Sequence, residues 1–315
     1  MQQFRKVKSK HDELMLDVME VIPDHEPVKG IVQIVHGMQE HKERYLAFME
    51  YLAQHGYACI ASDHRGHGQS VRHRKDLGYF YDETGDAIVD DLHTVCADLR
   101  LRYPHVPVFM IAHSMGTLIA RKYLKTNDRD LSGLILSGPV YENPAASAGE
   151  KLIHLIERYR GDHYISSRIS KMVEGSFDKH FKGTQKNRWL SSDSSSVESF
   201  NQDELCGRPF TLNGYKNLMI LVQDAYNPKG WAVKNPDLPI LFAAGQDDPV
   251  IGNEKEFNEM QEFLKARGYR DVQGKLYPDM RHEILNEVDR RQVFEDFYHF
   301  LEDHTKTARP LNVNQ

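Results

Sequence analysis

The sequence predicts an α/β fold: a doubly wound, mostly parallel sheet with a helical insert between two late strands. Three observations lead to this prediction. Short apolar runs recur along the chain, amphipathic helical patterns fall between them, and the alternation is interrupted once. Strands that alternate with helices of about 10–15 residues are typical of βαβ units, in which helices cover both faces of a parallel sheet.

The predicted strands are of two kinds. The main ones are almost continuously apolar, as a parallel strand buried on both faces requires. In chain order these runs are residues 31–37, 57–63, 106–112, 131–138 and 238–245. An earlier run, 14–21, alternates apolar and polar residues and is predicted as an antiparallel edge strand, while the weaker run 273–277 is predicted as the last strand.

Amphipathic helices are predicted wherever apolar residues recur every three or four positions. Such stripes occupy residues 45–52, 88–99, 257–264 and 293–301. Gly56 and Gly268 follow the first and third stripes. Glycine readily adopts the left-handed conformation that ends helices, so these two helices are predicted to stop there.

No convincing strand occurs between residues 141 and 237, and this segment is called the insert below. Its helical patterns lie at 151–159, 168–173 and 214–226. Length alone suggests about two domains, but the predicted division is a single functional unit with a lid-like insert. Its parts are a core of residues 1–140 and 238–305, the insert 141–237, and a flexible tail at 306–315.

The composition is that of a globular protein with a large core. Hydrophobic residues make up 40% of the 315 residues and charged residues 27%, and the net charge of −6 argues against a general nucleic-acid binder. No apolar run reaches the ~18 residues of a membrane span. The N-terminus lacks the apolar run of a signal peptide. The three cysteines lie far apart without a CxxC pair, so a reduced, cytoplasmic protein is predicted.

Residues 106–124 have the pattern of a strand, a tight turn and a helix, centred on AHSMG at 112–116. A nucleophile elbow has this layout, because a serine on a strained turn projects its hydroxyl clear of the backbone. Small residues two positions before and after Ser114 let the helix and the neighbouring strand approach closely. For this pentapeptide alone, an ordinary strand-to-helix turn is an equally good interpretation.

A second loop fits the same chemistry at the end of the first buried strand. HGMQEH at 36–41 lies where a hydrolase of this architecture donates one backbone N–H to an oxyanion hole, and the residue after the nucleophile donates the other. The predicted donors are therefore Met38 and Met115. Only the backbone is needed, so methionine side chains do not conflict with this role.

An acid and a histidine follow the serine in the expected chain order. Asp247 and Asp248 lie in the loop after the run 238–245, and His282 lies in the loop after the last predicted strand. The carboxyl ends of parallel strands meet at one edge of a sheet, so these side chains are predicted to lie near Ser114. Taken singly, either aspartate fits a turn and the histidine fits a surface position.

In combination these segments resemble the α/β-hydrolase superfamily, and within it the lysophospholipase and monoacylglycerol lipase group of serine hydrolases of bacterial type. The matching segments are HGMQEHKERY (36–45), ASDHRGHGQS (61–70), AHSMG (112–116), GQDDPV (245–250) and YPDMRHEILNE (277–287). The resemblance implies Ser114 as nucleophile, His282 as base and Asp248, rather than Asp247, as acid. The sequence departs from the family pattern at Ala112, where glycine is commonest.

The resemblance implies a serine carboxylester hydrolase that cleaves monoacyl lipid esters, lysophospholipid or monoacylglycerol, through an acyl-enzyme. It implies no cofactor and no metal, and it makes the DHRGHG loop a structural support of the site. The insert is similar to the caps of predicted bacterial lysophospholipases, which cover the active site. Candidate pocket residues are His113, Trp189, Phe210, Leu218, Met219 and Val222. For those in the insert, a place in its own apolar core is the alternative.

Other functions stay open at this point. The chain has 17 histidines, and His64 and His67 beside Asp63 raise the possibility of a metal-dependent hydrolase. The segment is a glycine-containing loop, however, and not a helix that fixes two imidazoles on one face. A non-catalytic binding protein on the same scaffold is a further alternative.

A proline-type aminopeptidase or amidase shares this fold and its motifs, and would need acids in the insert to hold a substrate ammonium. Candidate acids are Glu142, Glu150, Glu157, Asp193, Glu198, Asp203 and Glu204. The predicted partner is a small lipid-like or ester substrate, with transient contact to a membrane surface possible and no nucleic acid. The sequence indicates no oligomeric state.

Overall fold

The structure is a computed structural model that describes residues 1–24, 27–175 and 177–306. The strands are β1 (Gln2–Lys8), β2 (Met15–Val21), β3 (Gly30–Val35), β4 (Tyr57–Ser62), β5 (Val108–His113), β6 (Gly133–Ser137), β7 (Ile240–Gly245) and β8 (Val272–Tyr277). The helices are α1 (Leu46–Gln54), α2 (Ala87–Arg102), α3 (Met115–Asn127), α4 (Ala146–Arg160), α5 (Ser167–Glu174), α6 (Ser194–Gln202), α7 (Leu212–Tyr226), α8 (Glu254–Lys265) and α9 (Arg290–Thr305). Short 3₁₀ turns connect several of them.

The strands form one sheet in the order β1-β2-β4-β3-β5-β6-β7-β8. β1 and β2 are antiparallel, and the remaining strands run parallel to one another. β3 lies between β4 and β5, so the strand order reverses there. Ligands of open α/β sheets bind beyond the carboxyl ends of the strands near such a reversal. The predicted doubly wound, mostly parallel sheet is confirmed.

Both faces of the sheet are covered by apolar packing, which explains why the central strands are continuously hydrophobic. In β5, Val108 and Met110 point into a cluster with α2, α3 and α8. Phe109 and Ile111 point into a second cluster with α1 and α9. Successive side chains of a strand alternate between faces, so a strand between two helical layers has no polar side.

Two elements, β1 and α6, were not predicted from the sequence. β2 is antiparallel as expected, but it is not the edge strand, because β1 pairs along its outer side. β1 escapes a hydrophobicity search since most of its side chains are exposed or only partly buried. α6 is rich in serine and lies outside the helical patterns of the insert. The Asp193 carboxylate caps it by accepting the backbone N–H groups of Ser195 and Ser196.

The insert carries α4, α5, α6 and α7 between β6 and β7, which confirms a helical insert between two late strands. α7 packs against α4 and against α3 of the core. In the part of the chain that the structure describes, no helix has both the length and the apolar character needed to cross a membrane. Lys306 follows the last turn of α9, and the rest of the predicted flexible tail, 307–315, lies outside the described residues.

Candidate active site

Ser114 lies at the turn from β5 into α3 with φ 51° and ψ −121°. Residues with a side chain rarely adopt positive φ, and strained backbone of this kind clusters at functional sites. The backbone N–H of Ser114 donates to the Ser137 carbonyl at 3.0 Å, and its carbonyl accepts from the Thr117 hydroxyl at 2.7 Å. Neighbouring β6 and the first turn of α3 therefore hold the turn from both sides.

Gly116 shows why the turn needs a small residue after the serine. A Cβ atom at this position would lie 2.3 Å from the Val35 carbonyl oxygen and 2.8 Å from that of His36. The first turn of α3 therefore presses directly on the end of β3. On the other side of the serine, Ala112 is fully buried in the main apolar cluster, so its methyl group is accommodated.

Gly116→Ala is expected to lower the free energy of unfolding by about 1–3 kcal/mol, because the new methyl group has no space against β3. Gly149→Ala is the matched control in another helix, where a Cβ atom would meet only the Met219 side chain, at 3.4 Å or more. Alanine there should raise stability by about 0.5–1 kcal/mol, since glycine is a poor helix former. Urea unfolding measures the stability of both variants. Equal stabilities would contradict the close approach of Gly116 to the end of β3.

His282 and Asp248 come together from two loops at the same edge of the sheet. The imidazole Nδ1 of His282 donates to the Asp248 carboxylate at 2.9 Å, and both side chains are buried. Burial works to lower the pKa of His282, but the charge and hydrogen bond of Asp248 outweigh it and raise that pKa above its ordinary value. The other nitrogen, Nε2, is buried and has no hydrogen-bond partner among the described residues.

Asp248 and Asp247 differ sharply in environment. The second oxygen of Asp248 accepts the Val250 backbone N–H at 2.8 Å, which fixes the carboxylate plane. Asp247 is exposed to solvent, and its backbone N–H donates to the Met280 carbonyl. Of the two aspartates that the sequence offered, Asp248 is the one that contacts His282.

The loop after β3 lies close to Ser114. A Cβ atom on Gly37 would be 3.0 Å from the Ser114 Cβ, so the backbone that leads to Met38 passes beside the serine. The Glu40 carboxylate holds this loop by accepting the Gly37 N–H at 2.6 Å and the Tyr45 hydroxyl at 2.8 Å.

Arg44 adds a charged network that the sequence did not predict. Its guanidinium bonds Glu40 at 2.7 Å and both oxygens of Glu283 at 2.6 Å. Burial would raise the pKa of Glu40, but Arg44 helps to hold it below its ordinary value. Arg44 therefore ties the loop after β3 to the residue that follows His282. A single sequence gives no signal for the contact between Arg44 and Glu283, because these two residues are far apart in the chain.

A cavity of about 230 Å³ lies between the core and the insert. Core residues Met38, His113, Ser114 and His282 line it, and so do Glu174, Trp189, Leu190 and Phe200 of the insert. The cavity thus brings together the predicted nucleophile, the predicted base and one predicted oxyanion donor. Glu174 and its neighbour Asp178 also line the cavity, and neither was singled out from the sequence.

The predicted pocket residues divide into two groups. His113 and Trp189 line the cavity. Four others belong to the main apolar cluster and are absent from the lining: Phe210, Leu218, Met219 and Val222. This part of the prediction is corrected, because α7 turns its apolar stripe toward α3 and α4 and Phe210 packs on Phe80 and His67.

The two histidines of the DHRGHG loop, His64 and His67, are buried and form hydrogen bonds within the protein. His64 donates its backbone N–H to His36 Nε2 at 2.9 Å, and its own Nε2 bonds the His36 carbonyl at 3.0 Å. Burial lowers the pKa of His64 to about 3 and that of His67 to about 4, and the nearby His67 imidazole adds to the effect on His64. Asp63 accepts from Lys42 and from the Gln69 N–H. This loop therefore supports the wall of the site with neutral imidazoles.

Within the described residues, donor types that can bind a metal also meet at His41, Asp203 and Cys206, whose ligand atoms lie within 4.8 Å of one another. His41 Nε2 already bonds the Asp203 carboxylate at 2.8 Å. Burial raises the pKa of the Cys206 thiol, which disfavours the thiolate that a metal requires. The group joins the insert to the loop after β3 and is separate from Ser114 and His282.

Comparison with known proteins shows the family to which this chain belongs. The family model described as serine aminopeptidase, S33 (Hydrolase_4) matches residues 26–289. The chain belongs to this family. It has the α/β-hydrolase fold and is a serine hydrolase, consistent with the lysophospholipase and monoacylglycerol lipase group that the motifs resemble.

Individual relatives are similar over nearly their whole length. Phospholipase YtpA of Bacillus subtilis is 27% identical over 278 residues, which cover 84% of this chain and 92% of that one. Monoglyceride lipase of Saccharomyces cerevisiae is 28% identical over 311 residues, covering 90% and 88%. The crystal structure of a thermostable carboxyl esterase from Bacillus coagulans in complex with glycerol has a TM-score of 0.89 at 28% identity, covering 96% and 99%. These relatives support an esterase or lipase activity.

Proposed function

We propose that this serine hydrolase cleaves carboxylic esters through Ser114, His282 and Asp248. The observation that carries the proposal is the state of His282. Its Nδ1 is fixed by Asp248, its buried Nε2 has no partner among the described residues, and His282 lines the same cavity as Ser114. A general base needs this arrangement, with one nitrogen oriented by an acid and the other free to take a proton.

In the proposed mechanism the Ser114 hydroxyl attacks the ester carbonyl while His282 Nε2 takes its proton. Asp248 holds the tautomer and stabilises the imidazolium, which then protonates the leaving alcohol. Backbone N–H groups of Met38 and Met115 stabilise the negative oxygen of the tetrahedral intermediate. Water, deprotonated by the same histidine, then releases the acid from the acyl-enzyme. The chemistry needs no metal or organic cofactor.

The proposed substrates are monoacyl lipid esters, either lysophospholipids or monoacylglycerols. Relatives named phospholipase and monoglyceride lipase support this class. The insert, 141–237, is proposed to act as a cap on the core 1–140 and 238–305. Its side chains Trp189, Leu190 and Phe200 supply apolar surface to the cavity wall, as an acyl chain requires.

The aminopeptidase alternative has weaker support. None of the seven insert acids predicted for that role lines the cavity. Glu174 and Asp178 do line it, and both carboxylates already accept hydrogen bonds from the protein. Glu174 accepts from Tyr215 and Gln39, and Asp178 accepts the backbone N–H groups of Asn187 and Trp189. The ester hypothesis is preferred because the acids predicted to hold a substrate ammonium do not line the cavity.

A hydrolysis profile tests the proposed function. Purified protein is given monoacylglycerols and lysophospholipids of several chain lengths, and a prolyl amide under the same conditions. We expect turnover of the monoacyl esters and none of the amide above the background of Ser114→Ala. Higher kcat/KM for the prolyl amide than for every ester would overturn the assignment.

Transient contact with a lipid surface is part of the proposal, and apolar side chains of the insert support it. Leu152, Leu155 and Tyr159 lie on one face of α4 and are 44%, 52% and 82% exposed. Ile165 and Met172 are also exposed nearby in sequence. Exposed basic residues accompany them: Lys151, Arg158, Arg160 and Arg168. Such a mixture favours binding to the interface of an anionic membrane.

Replacing Leu155 and Tyr159 together by serine is expected to lower hydrolysis of vesicle-bound substrate on the order of 10-fold, since less apolar area enters the lipid. Hydrolysis of a short, monomeric ester should stay unchanged. Leu101→Ser is the matched control, because Leu101 is equally apolar, 74% exposed and located on α2 of the core. Equal rates for both variants on vesicles would argue against contact through α4.

The proposed location is the cytoplasm. Cys59, Cys96 and Cys206 are free and buried, so the described chain contains no disulfide that would require an oxidising compartment.

A further inference from the structure

A segment of the insert, 188–192, is bonded directly to the loop that carries His282. The loop gives and receives hydrogen bonds through both backbone and side chains. They are Glu283 N–H to the Leu190 carbonyl (2.7 Å), the Arg281 guanidinium to the Arg188 and Ser191 carbonyls (2.5 and 3.0 Å), and Ser192 N–H to the Glu287 carboxylate (2.9 Å). This part of the insert is therefore fixed to the base loop.

Trp189 lies at the centre of this segment and covers the imidazole of His282. The ring centroids are 4.9 Å apart and the planes are inclined by 36°. Phe177 packs against the indole from within the insert, with ring centroids 4.8 Å apart, and the Asp178 carboxylate accepts the backbone N–H of Trp189 at 3.2 Å. The indole is thus held in place independently of any substrate.

We infer that Trp189 is a positioning residue for His282, holding the imidazole in plane with Asp248 and stabilising its protonated form through the face of the indole. The inference rests on the proposed role of His282 as base. An aromatic face attracts a cation most strongly when the ring is tryptophan and the contact is removed from water. During the reaction the imidazolium forms as Ser114 gives up its proton, so this attraction lowers the barrier at a pH where the resting imidazole is neutral.

The other groups that face His282 are charged acids and one neutral ring. They are Asp248 from the loop after β7, Glu283 from the base loop, Glu40 from the loop after β3, and His113 from the end of β5. Arg44 pairs with Glu40 and Glu283 and so reduces the effect of their negative charges on His282.

His113 lies 4.7 Å from the His282 ring, and burial together with His282 lowers the pKa of His113 to about 4. His113 is therefore neutral over the range in which His282 titrates. Trp189 is the aromatic ring that the insert places against His282.

The pH dependence of kcat/KM tests this inference with matched variants. Trp189→Leu leaves an apolar side chain over His282 but removes the aromatic ring. Trp189→Phe retains an aromatic ring, which attracts a cation less strongly than an indole does. For wild type the acid limb should lie above pH 6.5, because the base must be neutral and its pKa is raised. We expect the limb to move to lower pH by about 0.5 in Trp189→Leu and by less in Trp189→Phe. Unchanged acid limbs with only a lower kcat would overturn the positioning role.

Tryptophan fluorescence provides a test that needs no activity. Trp231 is the only other tryptophan in the chain and packs against Phe263 and Tyr269, so Trp231→Phe isolates the emission of Trp189. Protonation of an adjacent imidazole quenches indole emission. We expect the emission of Trp189 to be quenched as the pH falls, with the same midpoint as the acid limb of kcat/KM. The quenching should disappear in the double variant Trp231→Phe/His282→Gln.

The two proposals fail separately. Quenching that persists without His282, or that is absent with it, would overturn the contact with Trp189. Full esterase activity in Ser114→Ala would overturn the proposed mechanism while leaving the fluorescence result intact.

Discussion

Ser114→Ala is expected to reduce kcat/KM for a monoacyl ester by about 10⁴-fold or more. The reason is that the acyl-enzyme cannot form without the hydroxyl oxygen, and only binding and the oxyanion donors remain. Fold is expected to be unaffected, because Ser114 is held through its backbone and its hydroxyl makes no hydrogen bond among the described residues. Steady-state hydrolysis and covalent labelling by a fluorophosphonate, read by mass spectrometry, measure the effect.

Ser170→Ala provides the matched control, because Ser170 lines the same cavity from the insert. Labelling and hydrolysis should persist in this variant. Labelling that survives in Ser114→Ala, or that disappears in Ser170→Ala, would show that another serine is the nucleophile.

Asp248→Asn is expected to reduce kcat/KM by roughly 10³- to 10⁴-fold. An asparagine side chain keeps the shape but can donate a hydrogen bond to Nδ1, which favours the wrong tautomer of His282. It also removes the charge that raises the pKa of His282, so any residual activity should have its acid limb at lower pH. Steady-state kinetics from pH 5 to 9, compared with wild type, provides the measurement.

Asp247→Asn separates the two aspartates that the sequence places side by side. Asp247 is exposed, so this change should alter kcat/KM by no more than about 2-fold. A large loss at Asp247 together with a small one at Asp248 would refute the assignment of the acid. The 2.9 Å contact between Asp248 and His282 makes the opposite outcome the expected one.

Much of the fold follows from local pattern. The runs at 31–37, 57–63 and 238–245 correspond to β3, β4 and β7 within two residues at each end. A strand between two helical layers must be apolar on both sides, and that requirement is visible in any single run. β1 escaped prediction because it is an exposed edge strand, where pairing with β2 rather than burial fixes the conformation.

The insert was harder to predict in detail. Its helical character is evident from periodicity, but a periodic apolar face does not reveal which surface it packs against. Leu218, Met219 and Val222 are pocket candidates by sequence, with an apolar core as the alternative, and the structure packs them in the main apolar cluster. Glu174 and Asp178 gave no signal, because they become cavity residues only through the position of α5 and the segment after it.

Patterns within the sequence are enough to predict the fold class, the helical insert and the order in which the candidate residues follow their strands. These features depend on short-range rules: a tight turn around Ser114, and loops at the carboxyl ends of successive parallel strands. Tertiary structure alone decided which groups touch. The bond between Arg44 and Glu283 and the placement of Trp189 over His282 each join segments far apart in the chain. Such contacts depend on packing distances that no local pattern contains.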